Sequence, residues 1–432
     1  MSPESTPLAT ADLLAAAQQV FVPVYQPRAV VLDHGRGARV WDREGREYVD
    51  FAAGIAVCGL GHADPELVAA LVAQAGKLWH TSNVFYNQPA IELAQALVDS
   101  APFARRVFLC NSGAEANEAA IKLARRWAAQ SGRAPERRTI LSFHGSFHGR
   151  TLATVTATAQ PKYQQGFEPL PAGFRYAAFN DPAGAAAAMD DGSVCAVLVE
   201  PVQGEGGVMP AAPGFLAGLR ALCDRHQALL ICDEIQCGMG RTGTLFAHAQ
   251  DDVVPDAVTL AKALGGGFPI GALLVGARAA ETLQYGAHGT TFGGNPLAAT
   301  VARVALRRLS DPTLLARVMQ RGAALRAGLE QIGRDTGLFA QIRGRGLMLG
   351  AVLADPHRGQ AGALVDHALA AGLLVLQAGS DVLRLVPPLV LDEADTSAGL
   401  TRLHVAIDAW QAARGGQHAA CPQSERTTES RT

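Results

Sequence analysis

Short apolar runs alternate with amphipathic stretches through the middle of the chain. Arg106-Val107-Phe108-Leu109-Cys110 ends in Asn-Ser-Gly, and a helical period follows from about Ala114 to Ala129. Thr139–Phe143, Ala196–Glu200, Ala228–Asp233, Ala257–Leu260 and Gly271–Val275 are further apolar runs, with a helical stretch near 213–226. Runs without polar alternation fit strands buried on both faces. Their separation by helices predicts an α/β fold with a mainly parallel sheet covered on both sides. Nearer the N-terminus, Arg39–Asp42 and Tyr48–Phe51 are shorter strand-like pieces broken by glycine. A helical pattern then runs from Pro65 to about Lys77. Toward the C-terminus, helices at 312–332 and 360–372 surround a strand at Gly346–Leu353. With Val375-Leu376 and Leu383–Leu385 they predict a smaller α+β unit. Residues 1–10 and the polar stretch from Gly415 predict disordered ends, and no internal repeat is present.

Composition narrows the class. The chain has 432 residues, 49% of them hydrophobic and 18% charged, enough apolar surface for a large shared core. Its formal charge of −2 lacks the basic excess of a nucleic-acid coat or a membrane-surface binder. No apolar run approaches the ~18 residues that cross a bilayer. The opening MSPESTPLATADLL lacks the pattern of a secretory signal. Seven cysteines without a Cys-x-x-Cys pair suggest reduced thiols in a cytoplasmic protein.

Two motifs mislead. Gly238-Met239-Gly240-Arg241-Thr242-Gly243 fits a dinucleotide fingerprint, but no clean helical period follows it. His144 and His148 have the spacing of zinc ligands on a helix, yet Gly145 and Gly149 disfavour that helix and no third ligand is near, so no metal is expected.

Three other features carry chemistry. Asn111-Ser112-Gly113-Ala114-Glu115 follows a strand and opens a helix. Ser112 and Glu115 have capping-box spacing, and the small Gly113 and Ala114 let backbone N–H groups approach a phosphate. Plain helix capping would explain the same residues. Asp233 ends an apolar strand at the sheet edge where ligands sit, and such a carboxylate needs a cation or donors. Lys262 lies between an apolar strand and the turn Leu264-Gly265-Gly266-Gly267, where desolvation frees a nucleophilic amine. A structural ion pair and a surface lysine are the plainer alternatives for these two. Together, a phosphate cradle, an acid for a pyridinium nitrogen and a Schiff-base lysine specify pyridoxal 5′-phosphate.

The stretches NSGAEANEAAIKLAR, SFHGSFHGRT, EPVQGEGGV, ICDEIQCGMGRTG, LAKALGGGFPIGA, GTTFGGNPLA and RGRGLMLG carry a resemblance. From about residue 20 to 410 the chain resembles the class III (ornithine-type) pyridoxal-phosphate aminotransferases. The resemblance implies the aspartate-aminotransferase-like fold of pyridoxal-phosphate transferases. In that fold residues 1–70 contribute to the small domain, 71–320 form the large cofactor-binding domain, 321–414 form the C-terminal small domain, and 415–432 are a tail.

The resemblance also implies roles. Ser112, Gly113 and Ala114 would hold the phosphate, Phe147 would stack on the ring, and Asp233 would pair with the ring nitrogen. Glu234, Ile235 and Gln236 would complete the cofactor site, and Lys262 would form the covalent link. Thr291 would reach the phosphate of the neighbouring subunit, which implies a homodimer with shared sites. Arg384 would take the glutamate α-carboxylate and Arg150 the remote carboxylate of either substrate, because a guanidinium fork matches a carboxylate. Glu205 would pair with Arg384 when no α-carboxylate is there. Thr290 and Tyr25 would join the substrate site, with Ser82 and Asn83 near an acyl-amine pocket. The implied reaction moves the δ-amino group of N2-acetyl-L-ornithine to 2-oxoglutarate in arginine biosynthesis. Succinylornithine, succinyldiaminopimelate, ornithine and 4-aminobutyrate are alternative donors. A catalytically silent cofactor-binding protein or a nucleotide-binding module are the alternatives from other classes.

Overall fold

A computed structural model describes residues 8–419. Its central sheet has seven strands in the order Ala104–Cys110, Gly271–Gly276, Ala257–Leu260, Leu229–Asp233, Val194–Val199, Thr139–Phe143 and Phe174–Ala177. The last five of these are mutually parallel neighbours, while Gly271–Gly276 is antiparallel to both strands beside it. The α/β reading with a mainly parallel sheet therefore holds, with one reversed strand. Phe174–Ala177 has no counterpart among the predicted strands, because this edge strand is only half-buried and carries Arg175.

Residue parity explains the layers. Ile140, Leu198, Ile231 and Leu273 pack on one face against the helix Gly113–Gln130, which buries Ala119, Ala120, Ile121 and Leu123. Leu141, Val197, Leu230, Val258 and Leu274 face the other way, into the core shared with the helix Phe215–Arg225. Burial on both faces leaves no polar alternation, which is why these strands read as continuous apolar runs.

Two smaller sheets flank this core. Leu32–Arg36, Arg39–Asp42 and Glu47–Asp50 form an antiparallel meander, to which Leu373–Leu374 adds in parallel. The two ends of the chain thus share one sheet. Phe339–Arg345, Met348–Leu353, Val382–Leu385 and Leu376–Ala378 form the other sheet. The helix expected at 312–332 runs Pro312–Thr336 and stops at Gly337, whose φ of 66° suits a left-handed cap.

The ends differ from expectation. A helix occupies Thr10–Val20, so order begins inside the expected leader. The helix Glu393–Ala419 runs past the boundary set at 414, anchored by Leu403, Ala406, Ile407 and Trp410 in the core. Residues 1–7 and 420–432 lie outside the described residues.

One partly buried ion pair secures the N-terminal meander. His62 Nε2 donates to Asp50 Oδ2 at 2.7 Å, and Asp50 Oδ1 accepts the Ala52 and Ala53 amides. The Asp50 carboxylate, then the Cys58 thiol, raise the His62 pKa to about 10. A folded-state pKa above the unfolded value stabilises fully below about 6.5, and that contribution fades as pH rises through about 10. His62→Gln is therefore expected to lower the melting temperature most below pH 6.5. A gap from wild type that stays constant from pH 6 to 10.5 would contradict this.

Candidate active site

The C-terminal ends of the parallel strands surround a cavity of about 410 Å³. Open α/β sheets place ligands at this edge. Ser112 caps the helix Gly113–Gln130, its Oγ accepting the Glu115 amide at 3.2 Å. The reciprocal half of the expected capping box is not made, because the Glu115 carboxylate reaches the Asn111 amide at 2.5 Å. Ser112, Gly113 and Ala114 line the cavity with their small side chains. A Cβ on Gly113 would come within 2.9 Å of Ile235. The cradle thus needs glycine, and the helix start leaves N–H groups free for an anion.

Asp233 is 2% exposed at the end of its strand. Its Oδ2 accepts from Asn117 Nδ2 at 2.7 Å and pairs with His148 Nδ1 at 2.8 Å, while Oδ1 accepts the Ile235 amide at 3.0 Å. Asn117 also donates to the His148 carbonyl at 2.7 Å and accepts from Thr259 Oγ1 at 2.9 Å. Donors from three elements offset the cost of burying this carboxylate.

Lys262 also lines the cavity, just after the strand Ala257–Leu260. Its backbone φ is +46°, in the left-handed region that non-glycine residues rarely adopt. Such strain collects at functional sites. Burial lowers its pKa, and the Arg384 guanidinium lowers it further. Both favour the neutral, nucleophilic amine.

Phe147, Ile235, Gln236 and Arg150 complete much of the lining. The Arg150 guanidinium sits 4.0 Å from the centre of the Tyr163 ring and 5.5 Å from that of Phe147. Arg384 is 3% exposed on the strand Val382–Leu385. Its Nη1 donates to Glu205 Oε1 at 2.5 Å and to Gln236 Oε1 at 3.3 Å. Its buried Nε has no partner among the described residues.

Six of the expected site residues are not on the cavity wall: Arg384 and Glu205 adjoin it through Gln236, and four others lie elsewhere. Glu234 faces away from the cavity: its carboxylate accepts the Ala247 and His248 amides at 2.6 and 2.7 Å and meets His248 Nδ1 at 2.6 Å. Strand alternation sends it to the face opposite Asp233. Tyr25 is 82% exposed and does not line the cavity within this chain. Thr290 and Thr291 line a neighbouring hollow of about 510 Å³ with Asn111, Glu115 and His288. Asn111 Nδ2 donates to Thr290 Oγ1 at 3.1 Å, and Asn83 Nδ2 to the Thr290 carbonyl at 3.0 Å.

Asn117, His148 and Glu200 are site residues that sequence reasoning passed over. His148 stood there only as a false zinc ligand. Glu200 ends an apolar strand, as Asp233 does, so the same signal would have found it. Asn117 gave no signal, since a polar residue on a helix is ordinary. In the GMGRTG stretch, Arg241 is buried and its Nη1 donates to the carbonyls of Leu347, at 3.1 Å, and Pro387. The motif thus braces the site against the smaller sheet.

An acid, an amine, an aromatic face and a small-residue anion cradle around one cavity suit pyridoxal 5′-phosphate. Comparison with known proteins agrees. The family model for class-III aminotransferases matches residues 21–407. An acetylornithine aminotransferase of Xanthomonas campestris pv. campestris is 65% identical over 93% of this chain and 98% of its own length. An acetylornithine/succinyldiaminopimelate aminotransferase of Yersinia pestis is 52% identical over 90% of this chain and 95% of its own. The crystal structure of N-acetylornithine aminotransferase from Stenotrophomonas maltophilia K279a superposes with a TM-score of 0.83, at 57% identity, over 93% of this chain and 100% of that one. With motif, cavity and relatives in agreement along nearly the whole length, the chain belongs to the class-III aminotransferases, which work with pyridoxal 5′-phosphate.

Proposed function

We propose that the protein transfers the δ-amino group of N2-acetyl-L-ornithine to 2-oxoglutarate, giving N-acetyl-L-glutamate 5-semialdehyde and L-glutamate, in the cytoplasm and within arginine biosynthesis. The observation that carries this reading is the Arg384–Glu205 pair beside the cavity, with Arg150 on the cavity wall. Its support is the similarity to relatives bearing that activity in their names.

Bound pyridoxal 5′-phosphate supplies an aldehyde and an electron-withdrawing ring, which make the substrate C–H bond acidic. The protein does the rest. The backbone N–H groups of Gly113 and Ala114, with Ser112, would hold the phosphate. Asp233 would keep a proton on the ring nitrogen, and the Asn117 and His148 contacts hold that carboxylate in place. Phe147 would offer its aromatic face to the ring, with Ile235 and Gln236 also on the cavity wall. Lys262 Nζ would be the amine that holds the cofactor aldehyde and the base within reach of the substrate carbon's proton.

Two substrates share one pocket. Arg384 Nε remains free for an α-carboxylate, and Glu205 yields when one arrives. An amine lacking a carboxylate at that position leaves the pair closed. Arg150 takes the carboxylate remote from the reacting nitrogen in either substrate. Residues 1–70 with 321–414 act as the small domain that carries Arg384 to the cofactor-binding domain, 71–320.

The active form is a homodimer. Phe21, Val22, Trp79, Phe85 and Tyr86 are exposed, Tyr86 at 92%. These side chains cluster in two short stretches, 20–25 and 79–86, and exposed apolar clusters fit a subunit interface. In a paired molecule Thr291 would reach the partner's phosphate site, with Thr290 and Tyr25 entering the substrate site. No described helix is long and apolar enough to cross a membrane, and the charge of −2 gives nucleic acid no footing.

A half-reaction spectrum tests the assignment. N-acetylornithine and L-glutamate, added separately to the yellow holoenzyme, are expected to bleach it, and 4-aminobutyrate to leave it yellow. Bleaching by N-succinylornithine but not N-acetylornithine would move the assignment to another acyl group. A protein inert to every amine would overturn the reading.

A further inference from the structure

A second carboxylate reaches the cavity wall, and the mechanism above does not use it. Glu200 directly follows the strand Val194–Val199, is 5% exposed and lines the cavity. Its Oε1 accepts the Phe147 amide at 2.8 Å and its Oε2 accepts the Gly204 amide at 3.3 Å. The residue after Phe147 is His148, whose amide donates to Thr158 Oγ1 at 2.8 Å and whose Nδ1 meets Asp233. The buried His148 Nε2 has no partner among the described residues. The charged and titratable groups around Glu200 are His148 and Asp233, with Lys262 and the Cys237 thiol beyond them.

Resting on the aminotransferase reading, we propose that Glu200 is a positioning residue of this reaction. By clamping the Phe147 amide it sets the Phe147 ring against the cofactor site and the His148 imidazole against Asp233. A plain packing role would be served as well by an uncharged side chain, since a buried carboxylate is costly. The ionised form meets both amides with charged oxygens, which make the stronger acceptors; a proton on one oxygen weakens that atom as an acceptor and adds a donor that needs a partner of its own, which loosens half the clamp.

Burial raises the Glu200 pKa to about 7, with His148 opposing and Asp233 adding to the rise. A folded-state pKa above the unfolded value means the native state holds more protons between the two. This group's contribution to stability therefore falls as pH rises from about 4.3 through about 7. The residue favours geometry at the expense of stability.

The test uses wild type and Glu200→Gln, each as apoprotein and holoenzyme. From pH 6 to 8 the melting temperature of the wild-type apoprotein is expected to fall more steeply than that of Glu200→Gln. The Phe147 amide signal, read by NMR with 15N-phenylalanine, is expected to move near pH 7 in wild type and to stay flat in the variant. In the holoenzyme, Glu200→Gln is expected to lose about tenfold or more in kcat, with KM within about threefold and with weaker visible circular dichroism from the bound cofactor. A Phe147 amide flat with pH in wild type overturns the proposal without requiring the variant to fold. So does a Glu200→Gln holoenzyme with wild-type kcat and circular dichroism. If wild type itself fails to transaminate any donor, the function reading has failed instead, and the amide titration still reports on the clamp.

Discussion

Lys262→Ala is expected to reduce transamination by about 10⁴-fold or more, the scale of losing both a nucleophile and a proton carrier. The proposed function gives the residue two tasks at one atom. Among the described residues its amine is the only lysine nitrogen on the cavity wall, so no neighbour can take over the attachment. Its lowered pKa, from burial and from Arg384, leaves the amine free to accept a proton. The substitution removes the cost of burying an amine along with a function, and alanine keeps the same left-handed backbone. The melting temperature of the apoprotein is therefore expected to stay at or above that of wild type. Turnover of N-acetylornithine above about one per cent of wild type, measured under single-turnover conditions, would show that another group carries the proton.

Arg384→Ala has the second largest expected effect, and it is selective. Truncating one partner of a buried, hydrogen-bonded charge pair costs about 2–5 kcal/mol. That corresponds to a fall of roughly 30- to several-thousand-fold in kcat/KM for 2-oxoglutarate and glutamate. N-acetylornithine is expected to lose much less, because its reacting end carries no α-carboxylate for Arg384. The opposite variant, Glu205→Gln, leaves Arg384 without its carboxylate partner. It is expected to keep the glutamate half-reaction and to weaken that of N-acetylornithine. The measurement is the rate of each half-reaction for the wild type and the two variants. Equal losses for both substrates in Arg384→Ala would mean that the arginine supports the fold and not the choice of substrate.

On the proposed function, the two arginines would let one site serve both substrates. Arg150 rests on Tyr163, held by an aromatic face and not by a carboxylate that must first be displaced. Arg384 is instead paired, so its availability depends on the incoming group. The difference lies in the burial of the two side chains: one is exposed, the other almost fully enclosed.

Local signals along the chain were enough for the layer architecture, because strands buried on both faces must be apolar throughout and helices must show one apolar side. They also singled out Asp233 and Lys262, each at the junction of an apolar strand and a turn, and Gly113, all three of which the structure brings to one cavity. The capping residues show the limit. Ser112 bonds Glu115 as spacing predicts, yet Glu115 turns to Asn111, since the start of the helix leaves more than one donor within its reach. Other outcomes depended on segments far apart in the chain. Glu234 is adjacent to Asp233 but serves the loop at 247–248, because strand pleating sends neighbours to opposite faces. The His148–Asp233 contact spans 85 residues and the Arg384–Glu205 pair 179, distances over which no periodicity carries information. Residue type and local pattern thus determine which chemistry the chain can offer. Which of those groups meet, and which carboxylate is left with only two amide donors inside the cavity wall, is decided by how the strands and loops close around it.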